Sequence, residues 1–212
     1  MVITEFIEMA ILGFVVGLTG ALAPGPTLIA TINASLKKGW SSGPSVTLGH
    51  AIVEAGMVAL ILTGLSMFIG NHAHLIILIG GSALVFFGIL TVMESRTARK
   101  IIPQEMQFSS SPVLAGIVTS ISNPYFWLWW ITVGSALLVG ALQGGIVIAI
   151  AFILGHWSAD LGWLTLVSFS IHKGKFVLGE KLYRWTIRIC GVFLVCFGIY
   201  YLSTADIFAL RT

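Results

Sequence analysis

The sequence predicts an all-α membrane protein: six transmembrane helices arranged as two inverted-topology three-helix repeats, with a helix break in the first helix of each repeat. Three observations carry this expectation. Of 212 residues, 57% are hydrophobic and 9% charged, against about 25% charged in an ordinary soluble domain, and the mean hydropathy is +1.00. Apolar runs of about 20 residues recur, the length a helix needs to cross a bilayer. Similar residue patterns also return in the same order in the two halves of the chain.

The spans are expected over 5–36, 44–69, 74–94, 112–139, 145–170 and 183–203. A tight turn at Gly70-Asn71-His72 separates the second span from the third. A polar loop runs from Ser95 to Ser111, and a basic stretch from Ile171 to Lys181 precedes the sixth span. The chain therefore divides into a first repeat (1–95), a cytoplasmic linker (96–111) and a second repeat (112–212). The opening Met-Val-Ile-Thr-Glu-Phe-Ile-Glu is acidic where a secretory signal is basic, so no cleavage is expected.

Basic residues set the orientation. Lys37, Lys38, Arg96, Arg99, Lys100, Lys173, Lys175, Lys181, Arg184 and Arg188 all fall on one side of the six spans. Arg211 falls on the other, with Glu5, Glu8 and Asp206. The positive-inside rule places the first group in the cytoplasm. The expectation is a multi-pass protein of the plasma (inner) membrane with both termini extracytoplasmic. The pI of 9.0 then reflects topology, and the partners expected are the lipid bilayer, a small-molecule substrate and protons, not nucleic acid.

The repeat is read from three matches. Gly49-His50-Ala51-Ile52-Val53-Glu54-Ala55-Gly56 in the second span and Gly155-His156-Trp157-Ser158-Ala159-Asp160-Leu161-Gly162 in the fifth share G-H-x-x-x-acid-x-G. Gly81 to Gly88 in the third span matches Gly191 to Gly198 in the sixth. Pro24-Gly25-Pro26 interrupts the first span as Asn123-Pro124 interrupts the fourth. A three-helix unit used twice enters the membrane from opposite sides, the inverted-repeat plan of many secondary transporters.

The breaks are the first candidate chemistry. Proline lacks an N–H. Pro24 therefore frees the carbonyl of Gly20, Pro26 that of Leu22, and Pro124 that of Ser120. Free backbone is tolerated at membrane depth only where protein or a water-filled cavity satisfies it. Such broken helices offer carbonyls to cations and N–H groups to carboxylates, a pairing that suits a free amino acid.

The acids are the second. Of eight, only Glu54 and Asp160 fall in the central part of a span, each about 15 Å along its helix from the inner end, and no Lys or Arg lies centrally to offset them. Insertion of such a group costs about 2.5–3.5 kcal/mol. His50 precedes Glu54 by four residues and His156 precedes Asp160 by four, so each pair shares a helix face and is suited to proton exchange. Gly13, Gly17, Gly20, Gly49 and Gly56 are expected to permit close helix packing, and glycine-rich faces also allow a homodimer. Phe126 and Trp130 share a face, at the membrane interface or along a permeation path. Cys190 and Cys196 lie about 120° apart on one helix, unable to bridge each other.

No phosphate-binding loop, HExxH or GxSxG sequence is present. The expectation is a transporter and not an enzyme, without a cofactor or resident metal, driven by a gradient.

These residues resemble the lysine-exporter superfamily of amino-acid translocators, the LysE/RhtB type. The resemblance rests on Pro24-Gly25-Pro26, on Gly39, Gly43, Gly49 and Gly56, and on Asn123-Pro124 and Asp160. It covers nearly the whole chain, although the family's Asn-Pro-Lys-Ala stretch is Asn123-Pro124-Tyr125-Phe126 here. It implies export of an amino acid or related small amine by the proton-motive force, as an antiporter. The alternative from the residues themselves is efflux of a divalent metal cation held by two histidines and two carboxylates. A thiol-relay enzyme would need a cysteine in the first span of each repeat, and neither has one. A scaffold without transport leaves the paired acids unexplained. The substrate or ion site expected from sequence comprises Glu54, Asp160, His50, His156, Gly20, Leu22, Pro24, Gly25, Pro26, Ser120, Asn123 and Pro124.

Overall fold

The computed structural model describes residues 2–22, 25–65, 69–97, 111–173 and 180–203. Among these, every element is helical. α1 (Val2–Ala21) and α2 (Pro26–Lys38) flank the first break. α3 (Ser42–Leu65) and α4 (Ile69–Thr97) follow. α5 (Pro112–Ile121) and α6 (Pro124–Trp129) flank the second break. A π-helical turn, Trp130–Gly134, joins α6 to α7 (Ser135–Gln143), and α8 (Ile146–His172) and α9 (Glu180–Ser203) complete the chain. Among the described residues, four stretches are long and apolar enough to cross a membrane: Ile3–Ala21, Ser42–Gly64, Tyr125–Gln143 and Ile146–His172. Their outer faces expose large aliphatic side chains, among them Ile3, Ile7 and Ile11 on α1 and Ile146, Ile150 and Leu154 on α8, as expected of surface in lipid rather than water.

Both breaks have one local cause. The residue before a proline is pushed to extended backbone, and proline is tolerated at a helix start because its missing N–H would have no partner there. Gly25 (φ −111°, ψ 177°) precedes Pro26, and Asn123 (φ −91°, ψ 108°) precedes Pro124. The Asn123 side chain accepts a hydrogen bond from the Tyr125 N–H at 3.1 Å, capping α6. Pro24, the other proline of the first break, lies outside the described residues.

Two expectations are corrected. Gly70-Asn71-His72 is helical within α4, not a turn. Gly and Asn weaken a helix far less than Pro does, and in an apolar medium the intact backbone ladder outweighs that preference. The Ser120 carbonyl is not free, because the Asn123 N–H donates to it at 3.2 Å. The last turn of α5 tightens to i→i+3 bonding and recovers it. The linker at 98–110 and the Cys190 side chain lie outside the described residues, and Cys196 is a free, exposed thiol.

The most extensive helix contacts all join the two halves of the chain: α4 with α9, α1 with α8, and α3 with α5. Glycine makes these approaches possible. A side chain at Gly13 would meet the Phe152 carbonyl, and one at Gly155 the Ala10 carbonyl. One at Gly49 would meet the Val113 carbonyl, and one at Gly116 that of Val46. Gly88 and Gly191 face each other in the same way. The expected glycine stripe is only half right. Gly20 and Gly56 have open space where a Cβ would lie, so close packing falls to Gly13, Gly17 and Gly49.

A polar knot fixes the α2–α3 turn. Gly39 ends α2 with φ +84°, a left-handed conformation that favours glycine. Ser168 of α8 is fully buried. Its hydroxyl donates to the Trp40 carbonyl, accepts from the Gly43 N–H at 3.0 Å and lies 2.9 Å from Ser35 Oγ. Ser168→Ala removes both hydrogen bonds from α8 to the turn and leaves the Gly43 N–H and the Trp40 carbonyl only their mutual bond at 3.2 Å, a loss of about 0.5–1.5 kcal/mol for each bond removed. The expected result is a clearly lower melting temperature in detergent, while exposed Ser122→Ala melts like the parent. Equal melting of the two variants would rule out a structural role for the knot.

Candidate functional site

The breaks bring two half-helix ends to one cavity of about 270 Å³. Its wall takes Gly17, Gly20 and Ala21 from α1, Gly25 to Leu28 from the start of α2, and His50 and Glu54 from α3. Leu90 and Thr91 come from α4. Asn123, Tyr125, Phe126, Trp129 and Trp130 follow the second break, and His156, Asp160 and Leu164 come from α8. Among the described residues, no Lys or Arg lines it. The volume lies just under the usual range for small-molecule sites, which begins at about 300 Å³, so it suits a ligand smaller than a drug.

Glu54 is the centre of the polar wall. It lies near the midpoint of α3 and is 1% exposed. Its Oε1 meets the His156 Nε2 at 2.9 Å, the His50 Nε2 at 3.2 Å and the Trp130 Nε1–H at 3.2 Å. Its Oε2 has no hydrogen-bond partner among the described residues. Asp160, also buried, stands with Oδ2 3.5 Å from His156 Nε2, and that oxygen is likewise without a hydrogen bond. Both i,i+4 pairs read from the sequence therefore form. A contact between halves, His156 to Glu54, is shorter than either.

Ser120 holds the far side of the His50 ring. Its Oγ stands 2.7 Å from the Gly116 carbonyl and 2.6 Å from His50 Nδ1. With the hydroxyl hydrogen on Gly116, Oγ accepts from Nδ1–H and the neutral ring turns an Nε2 lone pair toward Glu54; with it on Nδ1, Nε2–H donates to Glu54 Oε1. In the first state a proton or another cation has to lie between the two acceptors, 3.2 Å apart. The same atoms mark where a metal would sit: one donor atom from each of His50, Glu54 and Asp160 lies within 4.8 Å of the others.

Aromatic rings hold this cluster. Trp129 stacks on His156 with centroids 5.0 Å apart, Trp130 meets the same ring edge-on at 5.4 Å, and Phe126 meets His50 edge-on at 5.5 Å. Gly17 leaves room for the imidazole of His156, since a Cβ there would lie 2.7 Å from Nδ1. The Thr132 hydroxyl bonds the Leu128 carbonyl at 2.6 Å and that of Ser135 the Thr132 carbonyl at 3.1 Å across the π turn. These bonds support a rewinding that carries Trp130 to Glu54.

Of the residues expected at the site, Glu54, Asp160, His50, His156, Gly20, Gly25, Pro26 and Asn123 line the cavity. Ser120 stands behind His50. Leu22 packs instead among Leu28, Ile32 and Trp163, and nothing is described for the Pro124 side chain. Sequence reasoning left Trp129 and Gly17 out of the site and did not find the Trp130 bond to Glu54. The one sequence signal for the tryptophans is the aromatic run that follows the second break, and for Gly17 it is the glycine stripe of the first span.

Comparison with known proteins gives the same direction. A family model described as "LysE type translocator" matches residues 18–205. The chain is 27% identical over 196 residues to the "Putative amino acid efflux protein YcgF" of Bacillus subtilis (strain 168), covering 88% of this chain and 91% of that protein. No solved structure matches. The matched region contains the second break, both acid-bearing helices and the glycines that join them, and the chain belongs to the LysE type translocator family.

Proposed function

We propose that this chain exports an amino acid, or a related small amine, in exchange for protons. The observation that carries this reading is the Glu54–His50–His156–Asp160 cluster, buried at mid-helix on the wall of a cavity that both helix breaks enter. The substrate ammonium sits against Glu54 Oε2 and Asp160 Oδ2. Its carboxylate faces the Thr27 and Leu28 N–H groups, which have no intrahelical partner at the start of α2. Its side chain lies along Trp129 and Phe126. Release of the ammonium leaves two carboxylates and two imidazoles with one cation too few, and a proton restores the balance. Efflux named for the Bacillus subtilis relative supports an amino acid as cargo.

The six-span inverted repeat is part of this proposal. Its support is the symmetry of the contacts: Gly13 against Phe152 is echoed by Gly116 against Val46, and Gly155 against Ala10 by Gly49 against Val113. In G-H-x-x-x-acid-x-G the first glycine is packed and the last is open in both copies. The positive-inside distribution supports a plasma-membrane protein with extracytoplasmic termini.

The test is a counterflow screen of the amino acids in proteoliposomes, with and without a pH gradient. At least one substrate is expected to exchange, and an imposed gradient is expected to drive its accumulation. Flux of none overturns the export reading. Flux that a protonophore leaves unchanged overturns proton coupling alone.

A further inference from the structure

We infer that His50, Glu54 and Asp160 form a binding site for a divalent first-row transition-metal ion, and that the bound ion competes with the transported amine. The competition rests on the export reading above; the binding does not.

The donor set comes first. Imidazole and carboxylate together suit zinc, cobalt or nickel, whereas calcium and magnesium take oxygen ligands. His50 Nε2 and Glu54 Oε1 are 3.2 Å apart. Ligands about 2.0–2.1 Å from a tetrahedral zinc ion stand roughly 3.3 Å from each other. The ion takes the place between His50 Nε2 and Glu54 Oε1 that a proton fills in its absence.

The surroundings meet what a metal site needs beyond its ligands. Ligating histidines are held through their second nitrogen, and His50 Nδ1 is held by Ser120, itself tied to Gly116. His156 lies 2.9 Å from one carboxylate and 3.5 Å from the other, and so fixes both. Two further acceptors on these ligand residues, Glu54 Oε2 and Asp160 Oδ2, are buried without hydrogen bonds among the described residues, on residues 1% and 5% exposed. Trp129, Trp130 and Phe126 exclude bulk water on one side, and the cavity leaves the remaining coordination positions open to water or to the substrate amine.

Titration of the purified full chain in detergent with Co²⁺, followed by visible absorption, tests the site. One Co²⁺ per chain is expected, giving a ligand-field band that Zn²⁺ bleaches. H50Q and D160N abolish the band, and S120A weakens Co²⁺ binding by about 10- to 100-fold, as loss of an outer partner does. H172Q, away from the cavity, keeps it. Gel filtration confirms that each variant is folded, and S120A keeps all three ligands should either ligand variant fail to fold. No saturable band, or a band that survives H50Q and D160N, overturns the site.

In proteoliposomes, external Zn²⁺ is expected to raise the KM for the exchanged amine and leave the maximal rate unchanged. A lowered maximal rate with unchanged KM, or Co²⁺ accumulating inside vesicles as cargo, overturns the competition. If no amine exchanges yet the band behaves as stated, the export reading fails and the site stands.

Discussion

Glu54→Gln is expected to lower amine exchange by about two orders of magnitude or more while leaving the helices assembled. Removing one partner of a desolvated, hydrogen-bonded charge pair in a binding site costs about 2–5 kcal/mol of binding free energy, and each 1.4 kcal/mol is a factor of ten. The side chain is nearly isosteric, so the packing of α3 against α5 through Gly49 and Gly116 is untouched. The change removes the negative charge and places an amide where His50, His156 and Trp130 now share one carboxylate oxygen. Asp160→Asn removes the second acceptor facing the cavity and is expected to impair exchange in the same direction. Exchange per folded protein, normalised by gel filtration, is the measurement. Parental exchange by the Glu54→Gln, Asp160→Asn double variant would end the proposed role of the acids.

The second large effect concerns stability. Gly49→Ala and Gly155→Ala each push a methyl group into the backbone carbonyl of a neighbouring helix, at Val113 and Ala10. Backbone cannot rotate aside as a side chain does, so the helices must separate. Overpacking of this kind costs about 1–3 kcal/mol and occasionally more. Both helices also carry an acid of the site, so the movement spreads the cluster. Gly56→Ala and Gly162→Ala fill open space and relieve an unfavourable helix residue, worth up to about 1 kcal/mol in water. Thermal unfolding in detergent should separate the two classes, with Gly49→Ala and Gly155→Ala well below the parent and the other two at or above it. Equal melting across all four would mean that the close approaches do not hold the fold.

Both experiments exploit the same division between what is local and what is not. Helix, break and cap arise within a few residues. Pro26 and Pro124 lack an N–H and force Gly25 and Asn123 into extended backbone, so the two interruptions follow from the sequence wherever the helices lie. The pairs His50 with Glu54 and His156 with Asp160 follow from a helical repeat of 3.6 residues, and the cost of a mid-span acid follows from its charge.

Which helix lies opposite is a different matter, because periodicity gives a face and not its neighbour. Gly49 and Gly56 read alike in the chain, but only Gly49 meets another backbone. Tertiary contact alone moved the site from two separate pairs to one carboxylate shared across halves, with Ser120 holding the His50 ring and a π turn delivering Trp130. Local chemistry along the chain dictates a helical, apolar protein with two breaks and two mid-span acids. The tertiary structure decided that the acids, histidines and breaks meet at one cavity, because long-range approach depends on glycine-permitted distances between helices that no local pattern encodes.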